Sequence, residues 1–322
     1  MSEMTKNILI TGASGVIGFP FLLHQIKTGH NIVATFNSSY DLLLKSILNA
    51  LELPDIPHNL KIIAYQNALK NNDFIGSFDE IWHFATYGQP IKAIENVFQT
   101  IQLNVLDTQV LVGFMKPHGR FYYASTSEMY GNMENAIETD VPRSNPNSKR
   151  AVYTESKRLG EALLTTLIPN QAILLRFCLV FSKYAQASDT RVLYQFVQKG
   201  ILNGKIDMLD HGIAKRQYCY IDDALKMMLN IQNLSQIGDI DFAGPWNICN
   251  PNPVTIFELA SLIANILKVP LILPPKDQGV LDALNSVSII PRRYLTLFPD
   301  TKFKSFSSAL ELVVQSYSRS IS

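Results

Sequence analysis

What this sequence lacks narrows its work before any motif is read. It lacks excess charge: Lys and Arg number 28, Asp and Glu 27, and the balance is +1. That excludes a basic field for nucleic acid and an acidic solvating tail. It has few cysteines, and Cys178, Cys219 and Cys249 lie far apart in the chain. None has C-x-x-C or zinc-ligand spacing, so neither a disulfide framework nor a structural metal is expected. No apolar run reaches the roughly 18 residues of a membrane helix. Residues 1–7 are polar and lack the apolar stretch of a signal peptide. The expectation is a cytoplasmic protein with no nucleic-acid or membrane partner. At 322 residues, 47% hydrophobic, the chain can bury one large domain or two unequal ones.

Short apolar runs alternate with helical periodicity. Asn7–Thr11, residues 31–36, 81–85, 121–125 and 172–177 read as strands. Residues 19–28, 91–115 and 153–167 read as helices, the first stopping at Gly29. This alternation predicts a parallel sheet covered on both faces. Beyond Phe177 the pattern turns irregular, with a helix near 192–199, a strand at 246–249 and a loop-rich stretch at 270–305. Thr255-Ile256-Phe257-Glu258 fits a helix capping box, and Asp222 and Asp223 read as helix caps.

Thr11-Gly12-Ala13-Ser14-Gly15-Val16-Ile17-Gly18 joins the first strand to the first helix. Gly12 allows a tight turn, Gly15 close approach of backbone to a pyrophosphate, and Gly18 helix packing on the sheet. The helix N-terminus offers unpaired N–H groups to the anion. The second strand ends in Phe36-Asn37-Ser38-Ser39. No acid stands there to hold ribose hydroxyls and no arginine to bind a 2′-phosphate, so NAD and NADP both stay open.

Tyr153 and Lys157 lie one turn apart in AVYTESKRLGE and share a helix face. An ammonium near a phenol favours phenolate, a usable base near neutral pH. His83 ends a strand and reads as a packed histidine.

The ordered set TGASGVIG, HFATYGQP, Asn104 in LNVLDTQVL, ASTSEMYG and YTESK resembles the extended short-chain dehydrogenase/reductase family. The likeness is to its nucleotide-sugar epimerases, dehydratases and decarboxylases; DTRVLYQF and AKRQYCYIDDA resemble its substrate-side segments. The resemblance implies a Rossmann fold, a doubly wound parallel sheet, with a smaller discontinuous substrate domain. The expected division is 1–177 plus returning segments about 215–250 for the nucleotide, and 178–214 with 251–322 for the substrate. It implies that Gly12, Ser14, Gly15, Val16, Ile17, Gly18, Asn37, Ala85, Thr86, Asn104, Tyr153 and Lys157 contact NAD. Thr126 and Tyr153 would bind the sugar 4-hydroxyl, with Tyr153 as the base. Tyr87, Arg191 and Arg216 would bind the nucleotide sugar, expected to be a UDP-sugar. Helices 91–115 and 153–167 would pack a homodimer.

Glu128, in Ser125-Thr126-Ser127-Glu128, asks for a further role. A 4-keto sugar has an acidified C5 proton, which a carboxylate can remove. Family dehydratases carry Thr-Asp-Glu here and decarboxylases Thr-Ser-Glu, as in this chain. The resemblance therefore implies catalysis by Thr126, Glu128, Tyr153 and Lys157, with dehydration or epimerisation favoured and Glu128 as the C5 base. Decarboxylation is the alternative. The arginine that family decarboxylases hold near their C-terminus is missing from Asn285–Pro291, with Arg292 and Arg293 just beyond. Leu179 and Ser182-Lys183 replace the family's Asn and Gly-Pro. A simple NADP-dependent carbonyl reductase and a non-catalytic dinucleotide sensor are the readings outside the class.

Overall fold

The computed structural model describes residues 5–37, 39–186, 188–234, 241–275 and 287–321, with side chains to Tyr317. The first half alternates strand and helix: β1 Asn7–Thr11, α1 Gly18–Ile26, β2 Asn31–Phe36, α2 Tyr40–Leu51, β3 Leu60–Ala64, α3 Tyr65–Leu69 and β4 Phe78–His83. Then come α4 Pro90–Glu95, α5 Val97–Ile101, α6 Asp107–Val112, β5 Met115–Thr126, α7 Ala151–Leu167 and β6 Ala172–Phe177. The remainder holds β7 Leu179–Phe181, α8 Val192–Asn203, β8 Ile206–Asp207, β9 Lys215–Tyr220, α9 Ile221–Leu234 and β10 Gly244–Ile248. It ends with β11 Pro253–Thr255, α10 Ile256–Leu267, β12 Leu271–Ile272, α11 Arg292–Leu297 and α12 Phe306–Ile321.

Seven strands pair in the order β10-β6-β5-β4-β1-β2-β3, all parallel. The order reverses beside β1, between β2 and β4, and in such sheets ligands bind beyond the carboxyl ends of the strands at that point. The alternating direction of strand side chains gives the sheet two cores. Ile8 and Ile10 of β1 join one, with Trp82 and Tyr122; Leu9 joins the other, with Ile81, Phe121 and Tyr123. Trp82 and Tyr122 stack with ring centroids 3.7 Å apart, locking β4 to β5 on one face. Beyond this sheet, β11-β9-β7 form a second one and β12-β8 a third.

The expected helix over 91–115 is corrected. Asn96 leaves helical geometry (φ −121°, ψ 56°) between α4 and α5, and residues Gln102–Leu106 form a π-helical turn before α6. Met115 already belongs to β5. The expected caps Asp222 and Asp223 lie inside the first turn of α9 instead. The Asp223 carboxylate accepts the Lys304 backbone N–H at 3.1 Å. The capping box at Thr255 and Glu258 forms as expected. The three cysteines, remote in sequence, are buried and free. Burial raises the Cys178 thiol against the opposing effect of its hydrogen bond with Cys219, while that bond and burial together raise Cys219. No metal-binding cluster occurs among the described residues.

Candidate active site

The glycine turn packs so closely on its own backbone that no larger residue fits at Gly12 or Gly18. Gly12 has φ +67°, and a Cβ there would lie 2.7 Å from the Ala85 nitrogen and the Phe84 carbonyl carbon. A Cβ on Gly18 would lie 2.3 Å from the Gly12 oxygen. The Gly15 N–H closes the turn on the Gly12 carbonyl at 3.0 Å. No side chain caps α1, so its amino end stays open to an anion. Ser14, Val16 and Ile17 are half-buried around this turn, Ala85, Thr86 and Tyr87 are half-buried beyond β4, and Asn37 is exposed beyond β2. Ser38 lies outside the described residues.

His83 is buried and fully hydrogen-bonded. Its Nε2 lies 2.9 Å from the Leu103 carbonyl, which only accepts, so Nε2 carries the proton. Nδ1, 2.7 Å from Thr11 Oγ1, then accepts from the hydroxyl. Burial, with help from the Lys157 charge, pulls the imidazole down to about 3, so it is neutral at ordinary pH. His83 thus serves a carbonyl within the π turn. That turn presents Asn104, whose Oδ1 accepts from Thr86 Oγ1 at 2.8 Å and whose Nδ2 donates to Ser156 Oγ at 2.9 Å. Ser156 in turn donates to the Tyr153 carbonyl at 3.0 Å. Hydrogen bonds, joined through the Leu103–Asn104 backbone, therefore link Thr11 at the start of the glycine turn to the helix carrying Tyr153 and Lys157.

Lys157 is buried, and its ammonium has no hydrogen-bond partner among the described residues. It sits 4.5 Å over the Tyr123 ring. Burial pulls it down to about 7, opposed by the charge of Glu161. Ser125 Oγ, at the end of β5, is likewise buried and unpartnered. Such orphaned groups are costly unless a ligand satisfies them. Together with the glycine cradle they fit a dinucleotide whose ribose hydroxyls reach Lys157.

At the end of β5, Thr126 Oγ1 accepts the Glu128 N–H at 3.2 Å and faces the Tyr153 phenol. Burial and the Glu128 charge push that phenol up to about 12; Arg150, Thr126 and Arg191 oppose them. Arg150 was missed in the sequence. Its Nε and Nη2 donate to the two Glu128 oxygens at 2.7 and 2.8 Å, and its Cζ lies 4.6 Å over the Tyr153 ring. The signal was available: the helical spacing that pairs Tyr153 with Lys157 also places Arg150 one turn earlier.

The substrate-side arginines meet at Tyr218. Burial raises the phenol of this tyrosine, opposed by the charges of Arg216 and Arg191, and its hydroxyl has no partner among the described residues. Arg191 is already committed, with Nε and Nη2 on Asp189 (3.0 and 2.6 Å) and Nη1 on the Val180 carbonyl at 2.7 Å. Arg216 is half-buried and donates to the Lys215 carbonyl at 2.8 Å. Arg293 is held by the carbonyls of Asp241, Ala243 and Pro245 and stacks 4.1 Å over Trp246. Arg292 is exposed. Asn285 and Ser286 lie outside the described residues.

The NAD dependent epimerase/dehydratase family matches residues 8–243. UDP-glucuronic acid decarboxylase 6 of Arabidopsis thaliana is 29% identical over 277 residues, covering 83% of this chain and 76% of that protein. The UDP-glucuronic acid 4-epimerase of Bacillus cereus, solved with UDP-glucuronic acid and NAD, shares the fold with a TM-score of 0.77 at 18% identity, over 97% of this chain and 99% of that one. The dTDP-glucose 4,6-dehydratase of Bacillus anthracis, solved with NAD, has a TM-score of 0.73 at 19% identity, over 98% and 97% of the chains. With its parallel sheet, its glycine turn and its Tyr153–Lys157 pair, the chain belongs to the NAD dependent epimerase/dehydratase family.

Proposed function

We propose that this chain modifies a nucleotide sugar through transient oxidation at C4, and that the change made at the ketone stage is loss of the C6 carboxylate of a UDP-hexuronate. The observation that carries the choice is the Arg150–Glu128 pair. Both Glu128 oxygens accept from one guanidinium, so two of the carboxylate's lone-pair sites are taken and it is turned toward Arg150 rather than held free for a C5 proton. Dehydration needs that base; decarboxylation does not. The Thr-Ser-Glu triplet and the decarboxylases among the relatives point the same way.

Gly12, Gly15, Ser14 and the open end of α1 would hold the cofactor pyrophosphate, with Lys157 on the nicotinamide ribose. Bound NAD supplies the hydride acceptor for C4 and later returns the hydride. Tyr153, as phenolate, takes the 4-hydroxyl proton, with Thr126 holding the same oxygen. Lys157 favours that phenolate by its charge. In the resulting β-keto acid the C5–C6 bond breaks, its electron pair forms the enolate, and carbon dioxide leaves. Tyr153 and Thr126 donate to the enolate oxygen. C5 then takes a proton from water, and Tyr153 returns its proton to the C4 oxygen as the ketone is reduced. Arg216 and Tyr218 would bind the diphosphate, with Arg191, held on Asp189 and the Val180 carbonyl, beside them.

Epimerisation is the second reading. It is favoured because Val287–Pro291 offers no arginine to a sugar carboxylate and Arg293 is held elsewhere. Mass spectrometry and proton NMR on a panel of UDP-, dTDP-, GDP- and CDP-sugars separate the readings. Loss of carbon dioxide from UDP-glucuronate is expected. Unchanged mass with a new sugar spectrum would mean epimerisation, and loss of water would restore Glu128 as the C5 base. Tyr153→Phe should abolish every conversion while NAD stays bound; normal turnover in that variant sinks the reading.

The same proposal includes a homodimer. Helices α4 to α7 expose Ile91, Ile94, Phe98 (83%), Leu106, Val110 and Leu159, a stripe suited to a second copy. Sedimentation of Phe98→Glu against the parent tests it, and an unaltered molecular mass refutes it. No helix among the described residues is long and apolar enough to cross a membrane.

A further inference from the structure

We infer that Arg150 is a positioning residue: its guanidinium clamps Glu128 by one edge and covers the Tyr153 ring with its face, so that carboxylate and phenol act as one coupled unit. Four contacts close a ring. Thr126 Oγ1 holds the Glu128 N–H, Glu128 takes both hydrogen bonds from Arg150, Arg150 lies over Tyr153, and Tyr153 faces Thr126. Two backbone segments are thereby tied together, the end of β5 and the start of α7. A single planar cation is suited to this, because its edge matches a carboxylate and its face a ring. The pair is not an ordinary surface bridge: the Arg150 and Glu128 side chains are 19% and 33% exposed, next to a buried phenol.

The consequence is a balance of charge at Tyr153. Glu128 lies on one side as an anion, with Arg150 compensating it. Arg191, at the start of α8, adds a second cation, and Lys157 stands one turn along the same helix. Tyr123 of β5 is the neighbouring phenol. Glu128 raises and Arg150 lowers the phenol, so each masks the other. Removing Arg150 leaves a bare carboxylate beside Tyr153. Removing both partners restores the balance. A residue that merely propped up the loop would not give this pattern.

The inference rests on Tyr153 being the base of the proposed reaction, and its test is chosen not to need turnover. Tyr153 is exchanged for a ring-difluorinated tyrosine, which brings the phenol into an accessible pH range and gives it a fluorine NMR signal. The midpoint is followed in the parent, Arg150→Met, Arg150→Lys, Glu128→Gln and the double Arg150→Met/Glu128→Gln protein, each with NAD. Arg150→Met should raise the midpoint by about one unit, the shift typical of a charge a few ångströms away. Glu128→Gln should lower it, the double variant should return close to the parent, and Arg150→Lys should keep part of the effect. An unmoved midpoint in Arg150→Met overturns the inference, as do two single shifts of the same sign. If Arg150→Met does not fold, Glu128→Gln and Arg150→Lys decide by the same criteria. Midpoints that move as stated without conversion of any nucleotide sugar would remove the proposed reaction and leave the coupling. Conversion with unmoved midpoints would do the reverse.

Discussion

Gly160→Ala should destabilise this protein, although the same change inside most helices stabilises. Gly160 sits in α7, three residues after Lys157. On helix propensity alone, alanine gains about 1 kcal/mol. Here the added Cβ would lie 2.3 Å from Tyr123 Oη, 2.6 Å from the Asn104 carbonyl oxygen and 2.7 Å from Tyr123 Cζ. Real Cβ atoms essentially never come within 3.0 Å of such neighbours, so α7 must lift or Tyr123 must retreat by more than half an ångström. Overpacking of this kind costs about 1–3 kcal/mol. Tyr123 also donates to the Asn104 carbonyl at 2.9 Å, and leaving that buried pair unmade costs about 1–3 kcal/mol more. The net is a loss of about 1–5 kcal/mol, a fall of several degrees in melting temperature for a chain this size. Because Lys157 rests on the Tyr123 ring, NAD affinity should fall as well. Differential scanning fluorimetry with and without NAD measures both. A variant melting at or above the parent would refute the close packing of α7 against the π turn.

Two further outcomes follow from the buried bases. Lys157→Met should abolish turnover yet raise the melting temperature of the NAD-free protein at pH 7, because it removes an unpartnered buried ammonium. The folded state holds Lys157 near 7 against 10.5 ordinarily, so the unfolded chain binds the extra proton between those values. The parent's stability therefore rises with pH across that window, and the variant's advantage should shrink by pH 10; thermal melts at both pH values check this. For His83 the folded value is about 3 against 6.5, so stability present above 6.5 is lost as pH falls toward 3. His83→Gln should lower stability at pH 7 but flatten that acid slope, and a slope as steep as the parent's would exclude His83 as its source.

The strands of the central sheet were legible where burial on both faces made a short continuous apolar run, as in the Ile8-Leu9-Ile10 centre of β1 and the Ala172-Ile173-Leu174-Leu175 start of β6. The segment holding α2, α3 and β3 was not, because Leu60–Ala64 carries a lysine and is only partly buried at the sheet edge. The glycine turn and the Tyr153–Lys157 pair were readable from local spacing. Arg150's partnership was not, since Glu128 lies 22 residues away in the chain. Nor could spacing show that Arg191 would be taken up by Asp189, two residues before it. That depends on the fold, which sets the guanidinium against Asp189 and the Val180 carbonyl with its side chain 20% exposed.

The π turn at Gln102–Leu106 has a consequence for comparing this helix with straight ones. It is in effect a helix with one residue too many, and each residue turns the face by about 100°. A wheel drawn through Phe98 and continued to Val110 falls out of phase midway, so side chains in register along the chain end up around the corner from one another. Deleting a single residue there would restore a smooth helix while swinging Asn104 away from Ser156 and Thr86. The irregular turn acts as a phase correction: it lets the outward stripe and the inward asparagine be correct at once.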